Sequence, residues 1–377
     1  LIKEYNVMAQ GLTKIVDIKN VDQQLARVDT DAVKSLFIGG GKSNARNTVG
    51  EEFAEITGGT RIDFVDKGRK RNELPDLLEA VLTSSRNEAP GLEGVELVSL
   101  SEDTFTLAIN GAAGSKNFIE FTGSAAEAAI DSVLFTLGNG KPAINLKNSA
   151  SQVAFFDTDA MSSIFVGSSN AASAEAKAII GGSSLNIAEA EDLLTAVVTG
   201  KASNGTAGVE GVELVGLTDE GFTLRIDGQA ATRDTLIFGG EGALDAIAAA
   251  DAARGADFKD GHTAFDIFDV AAENREFVGQ ASLNAVGAEL KEIVGGSSIN
   301  RDEVLEIFEA VISGNGRKGN THGLDRVKLI GLNDTSFSIG VQSAGGNTDY
   351  ILFTNVDTLE GAAAFGFGDG PGASVFG

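Results

Sequence analysis

At 377 residues the chain is too long for one small core and suits two to four domains of ~100–200 residues each. Its formal charge of −25 argues against nucleic acid and anionic membrane as partners, because the summed field repels both. Cys is absent, which excludes disulfides, thiolate chemistry and Cys-ligated zinc, so packing alone must hold the cores.

Apolar residues make up 42% of the chain, near the ordinary globular level, so wholesale disorder is not expected despite the acidity. The 48 glycines exceed the average share of about 7%. They lack a three-residue period and cluster in pairs and triplets such as Gly39-Gly40-Gly41 and Gly181-Gly182, which implies tight turns between short elements and not a collagen-like rod. No apolar run approaches the ~18 residues of a membrane span. The first residues show no apolar block behind a basic start, so neither membrane insertion nor a classical signal peptide is expected in the chain as given. Its first residue is Leu1 and its first methionine Met8, which leaves two possible starts.

Internal similarity organises the rest. In chain order, Phe37-Ile38-Gly39 recurs as Phe165-Val166-Gly167 and Phe277-Val278-Gly279, and Gly58-Gly59 as Gly181-Gly182 and Gly295-Gly296. Ala80-Val81 recurs as Ala196-Val197 and Ala310-Val311, and Leu97 to Leu100 as Leu214 to Leu217 and Leu329 to Leu332. Phe105, Phe222 and Phe337 follow in step, then Phe121, Phe238 and Phe353. The reading is α+β: three tandem copies of a small unit in which an antiparallel β-meander is packed by a capped helix. The units span 11–138, 139–255 and 256–377, the last with a Gly-rich C-terminal tail.

Within a unit, extended pieces open at Ile15 to Lys19 and Ile144 to Lys147. A helix of about three turns follows each Gly-Gly pair, with Ile187, Ala190, Leu193, Leu194, Val197 and Val198 at helical spacing. Asn186 with Glu189, and Asn300 with Glu303, have capping-box spacing. Period-two strands then centre on Phe105-Leu107-Ile109, Phe222-Leu224-Ile226 and Phe337-Ile339-Val341. Short polar turns join each to a strand on either side, which dictates antiparallel neighbours. Ala-rich stretches at 125–135 and 243–253 supply second helices.

Chemistry is harder to find. Gly39-Gly40-Gly41-Lys42-Ser43 looks like the end of a phosphate-binding loop, but Leu36 stands where the motif needs its first Gly, so a glycine turn is the reading. His262 and His322, the two histidines, stand apart and make neither a metal site nor a triad. Carboxylate pairs are too numerous in so acidic a chain for spacing to single out a glycosidase pair. Asp29-Thr30-Asp31-Ala32 recurs as Asp157-Thr158-Asp159-Ala160, an oxygen-rich pattern open to Ca²⁺, but the third copy reads Asp269-Val270-Ala271 and loses the second carboxylate. A solvated turn or cap is the reading, and no cofactor, metal or catalytic residue is assigned.

One basic run departs from the repeat. From Gly59 to Ala80 is 21 residues, against 14 from Gly182 to Ala196 and from Gly296 to Ala310. A seven-residue insertion within 65–72 therefore carries Lys67, Arg69, Lys70 and Arg71, which are assigned to protein–protein contact. Together these features point to a non-enzymatic structural or assembly protein, a virion (phage) component or an extracellular surface or filament subunit that associates with itself or with other structural proteins. The alternatives are a secreted adhesin-like or carbohydrate-binding module array and, behind it, an enzyme with a carboxylate site.

Overall fold

A computed structural model describes residues 12–16, 24–38, 56, 61–64, 72–83, 94–110, 116–137, 144–146, 151–167, 174–199, 209–228, 232–254, 265–277, 298–313, 327–342 and 348–358. The fold is mixed α+β, with several small sheets and few helices. Among the described residues, no helix is long and apolar enough to cross a membrane.

Three four-stranded sheets share one strand order. The first contains β2 (Gln24–Asp29), β5 (Val95–Leu100), β6 (Phe105–Asn110) and β7 (Lys116–Thr122) in the order β2-β7-β6-β5. The second contains β8 (Val153–Asp157), β11 (Val212–Thr218), β12 (Gly221–Asp227) and β13 (Arg233–Gly239) in the order β8-β13-β12-β11. The third contains β14 (Phe265–Asp269), β17 (Val327–Leu332), β18 (Phe337–Gln342) and β19 (Thr348–Thr354) in the order β14-β19-β18-β17. The last three strands of each form the expected antiparallel meander.

The fourth strand corrects the sequence reading. β2, β8 and β14 each lie parallel to the last meander strand. The extended pieces expected earlier belong elsewhere, to smaller side sheets. β1 (Leu12–Val16) runs parallel to β3 (Val33–Ile38), which pairs with β4 (Arg61–Asp63). Ile144 and Leu146 form no strand, but their N–H groups donate to the carbonyls of Phe165 and Val166 beside β9 (Ser163–Phe165), the antiparallel partner of β10 (Ser184–Asn186). The third side sheet pairs β15 (Arg275–Phe277) with β16 (Ser298–Asn300).

Helix α1 (Leu74–Leu82) buries Leu74, Leu77, Leu78, Val81 and Leu82. The Ala-rich stretches lie in α2 (Ser124–Leu137) and α5 (Glu241–Arg254), and α3 (Ala174–Ile179) precedes α4 (Ile187–Thr199). α4 buries Ala190, Leu193, Leu194, Val197 and Val198 at the same helical spacing as α1, and α6 (Val304–Ser313) buries Val304, Ile307, Phe308, Val311 and Ile312. This stripe follows from the 3.6-residue period and faces the meander. There, directly opposed Phe pairs stack: Phe105 with Phe121 at 4.9 Å, Phe222 with Phe238 at 4.5 Å, and Phe337 with Phe353 at 4.6 Å between ring centroids. Such aromatic pairs contribute about 0.5–1.5 kcal/mol beyond their buried area.

The far faces of the sheets are largely covered by one another, apart from the exposed Glu96, Glu213 and Lys328. Val153 and Ile237 of the second sheet join the core beneath the first, and Phe265 and Leu352 of the third join the core beneath the second. Leu25, Val98, Ala108 and Phe118 of the first sheet join the core beneath the third, which closes the circuit. At its centre the bulged edge strands β5, β11 and β17 touch one another. The Thr223 hydroxyl donates to the Leu100 carbonyl at 3.0 Å, Ser338 to Leu217 at 2.7 Å, and Ser99 to Leu332 at 3.2 Å. Gly331 lies so close to the Leu217 backbone that a Cβ there would collide with it.

Candidate functional site

The loop that could have held calcium is a helix clasp. Asp29, Asp157 and Asp269 each accept two backbone N–H bonds from the residues two and three ahead, which sets an Asx turn in all three places. In the first, Thr30 donates to the Thr122 carbonyl and accepts the Ala125 N–H, while Asp31 accepts the N–H and hydroxyl of Ser124. Thr158 and Asp159 do the same for Gly239, Ala243 and Glu241. The carboxylates thus satisfy N–H groups that helices α2 and α5 would otherwise leave unpaired. The residue between strand and helix is left-handed, with φ of 83° at Gly123 and 86° at Gly240. A Cβ on Gly123 would sit 3.0 Å from oxygens of Asp29, Thr30 and Asp31. Asn355 takes that conformation in the third sheet (φ 54°), and its amide donates to Asp269 at 2.9 Å. This bond, with the turn N–H groups, holds the Asp269 carboxyl below its ordinary range.

The helix caps also locate the basic insertion. Asn186 N–H donates to Glu189 at 2.9 Å, with Glu189 N–H returning to the Asn186 side chain at 3.0 Å, and Asn300 N–H donates to Glu303 at 2.7 Å. In the first sheet's helix, Asp63 N–H donates to Glu73 at 2.8 Å. The cap is the same bond with the insertion threaded between its two residues. Lys67, Arg69, Lys70 and Arg71 lie outside the described residues, as do Gly39–Ser43, His262 and His322.

A feature that sequence reasoning missed lies where β5, β11 and β17 converge. A cleft of about 540 Å³ opens there, walled by Val95, Leu97, Leu214 and Leu329, with Glu96, Lys116, Glu213, Arg225, Arg233, Lys328 and Tyr350 at its polar positions. All three sheets contribute. Lys116 reaches over Ala108 to Glu96 at 2.8 Å, an exposed pair that adds little stability. Burial works against the Glu96 charge, but Lys116, with Lys328 and Arg225 near it, outweighs that and keeps the carboxyl below its ordinary value. Arg225 sits directly across from Glu213 on β11 and diagonally from Arg233 on β13. Burial, then the Arg233 guanidinium, lower its affinity for its proton. Tyr350 is pushed up to about 12 by burial and then by Glu213 and Asp349. The signal was present in sequence as Glu96, Glu213 and Lys328 at matched positions, but spacing cannot show that three edge strands meet.

A second unusual grouping lies between the first and third sheets. Arg27 meets Glu120 at 2.9 Å across the β2–β7 pairing. The same guanidinium bonds the Asp334 carboxylate, the Asn333 carbonyl at 2.9 Å and the Thr358 hydroxyl at 2.6 Å. At the matching positions the second and third sheets pair Phe155 with Ile237 and Ile267 with Leu352.

Compared with known protein families, curated proteins and solved structures, the chain matches none.

Proposed function

We propose that the chain is three tandem copies of one α+β unit, spanning 11–138, 139–255 and 256–377, and that it serves as a non-enzymatic structural or assembly protein. The settings that suit it are a virion or an extracellular surface or filament. The observation that supports this is the closed circuit of three sheets, each burying its far face in a neighbour's core. Such an interlock makes one rigid block from three small units, each of which would be marginal with half its sheet uncovered. It favours a building block over an array of independently binding adhesin or carbohydrate modules, whose units would keep separate cores.

Self-association is proposed to run through Lys67, Arg69, Lys70 and Arg71. They stand in the one helix cap of the three that carries an insertion, and residues 1–90 are close to neutral, with 13 basic and 14 acidic residues in a chain of −25. A basic loop on one unit gives the block distinguishable ends, and heterologous contacts then form rings or open filaments. Light scattering and electron microscopy of the wild type should show ordered oligomers. Changing the four residues to Glu should weaken them, most at low salt where repulsion is least screened. A monomer at every concentration and salt, unchanged by the reversal, would refute the proposal.

A further inference from the structure

The central cleft is cationic in an acidic protein. Its walls carry Lys116, Arg225, Arg233 and Lys328 against the carboxylates of Glu96 and Glu213. Lys116 pairs with Glu96, and the remaining excess is divided between the third sheet, through Lys328, and the second, where Arg225 and Arg233 project from one face as diagonal neighbours on β12 and β13. Like charges at that separation repel. Asp227, across from Arg233 on that same face and next to Gly211, tempers the charge at Arg225 from beyond the cleft wall, as Glu213 does from within it. Both arginines have an Nε–H shut off from solvent with no hydrogen-bond acceptor among the described residues. Buried donors of this kind are costly to leave unmade. The matching positions on the first sheet hold Ala108 and Lys116, and on the third Gly340 and Thr348, so the repeat pattern itself does not call for an arginine pair there.

We propose that this cleft binds a small molecule carrying two or more oxyanion groups, phosphate or carboxylate, with Arg225 and Arg233 as its principal ligands. A guanidinium offers a planar fork that matches such oxygens two at a time, and two of them side by side suit a dianion. Lys116 and Lys328 extend the positive rim from the other two sheets. Leu97, Leu214, Leu329 and the Tyr350 ring give the body of the ligand an apolar wall. The volume, about 540 Å³, lies in the range of small-molecule sites and is too small for a folded partner. The site needs all three sheets, so it exists only in the closed circuit.

The test is calorimetric titration of the full chain with pyrophosphate and, separately, with tricarballylate, at matched ionic strength. Saturable binding of at least one is expected. Arg225→Gln and Arg233→Gln should each weaken it about tenfold or more, the effect of losing one strong charge-assisted contact. Glu213→Gln should tighten it, a change that a purely structural arginine pair would not produce. Circular dichroism checks each variant's fold; should Arg225→Gln fail to fold, Arg233→Gln and Glu213→Gln decide. No saturable binding of either probe to the wild type up to ~10 mM, a free energy near that of non-specific contact, would overturn the proposal. Binding that the variants leave unchanged would overturn it as well.

Discussion

Asp234 is fully buried in the second sheet. One of its oxygens accepts the Gln152 N–H at 3.0 Å and the Gln152 amide at 3.3 Å, while the other has no partner among the described residues. Burial outweighs those two bonds and raises the carboxyl from 3.8 to about 7. The folded chain therefore holds this proton at pH values where the unfolded chain has released it. Its contribution to stability is fully present below about pH 4 and is lost as pH rises to about 7. A shift of three units corresponds to at most about 4 kcal/mol at pH 8. The first sheet shows how to remove the cost, because Asn117 occupies the matching position on β7 and its amide donates to the Ile109 carbonyl at 3.4 Å. In Asp234→Asn the amide would face the equivalent Ile226 carbonyl. The variant should gain about 1–3 kcal/mol at pH 8, the avoided charge burial less the loss of the carboxylate's own bonds. It should match the wild type near pH 4. Urea unfolding followed by circular dichroism across pH 4–8 measures this. A variant whose pH slope equals that of the wild type, or which is less stable at pH 8, would refute the reasoning.

Thr158→Ala removes a buried hydroxyl that both donates to Gly239 and caps the Ala243 N–H, and should destabilise by about 1–3 kcal/mol in the same urea assay. Because Asp31 and Asp159 serve as helix caps, the units are expected to hold together without calcium. Thermal melts in calcium and in chelator should coincide, and a shift above ~10 °C would show carboxylates acting as ligands.

How much of this was legible in the sequence varied with the range of the interaction. The capped helices, the meander and the Phe pairs all rest on contacts within a unit, and each left a local period or a matched offset. The capping box at Asn186 and Glu189 could be read directly. Its counterpart at Asp63 and Glu73 could not, because the insertion separates the two residues that a box keeps three apart. The parallel strands β2, β8 and β14 were missed for a different reason. Buried on both faces, Val28, Phe156 and Phe268 sit in short runs such as Val-Ala-Phe-Phe-Asp, which lack the polar alternation that marks a strand with one wet face. Asp29 and Asp157 at their ends were read as turn residues, correctly, but the strand in front of each was not.

The circuit of sheets was invisible for a deeper reason. Repetition in a sequence states that units are alike and says nothing of whether they stand in a row or close on themselves. What distinguishes the two is how the last unit meets the first, and that contact alone is under no obligation to resemble the others. Here it does not. Phe155 opposite Ile237 and Ile267 opposite Leu352 form apolar seams, whereas the closing seam places Arg27 and Glu120 at the same register. An arginine with a buried carboxylate beside it and Asp334, Asn333 and Thr358 before it is a poor source of net stability but a strict geometric requirement, since a charge buried without its partners costs several kcal/mol. The closing contact therefore asks for one arrangement of Arg27, Glu120, Asp334, Asn333 and Thr358, in addition to the hydroxyl bonds of Thr223, Ser338 and Ser99 that the three seams share where β5, β11 and β17 meet.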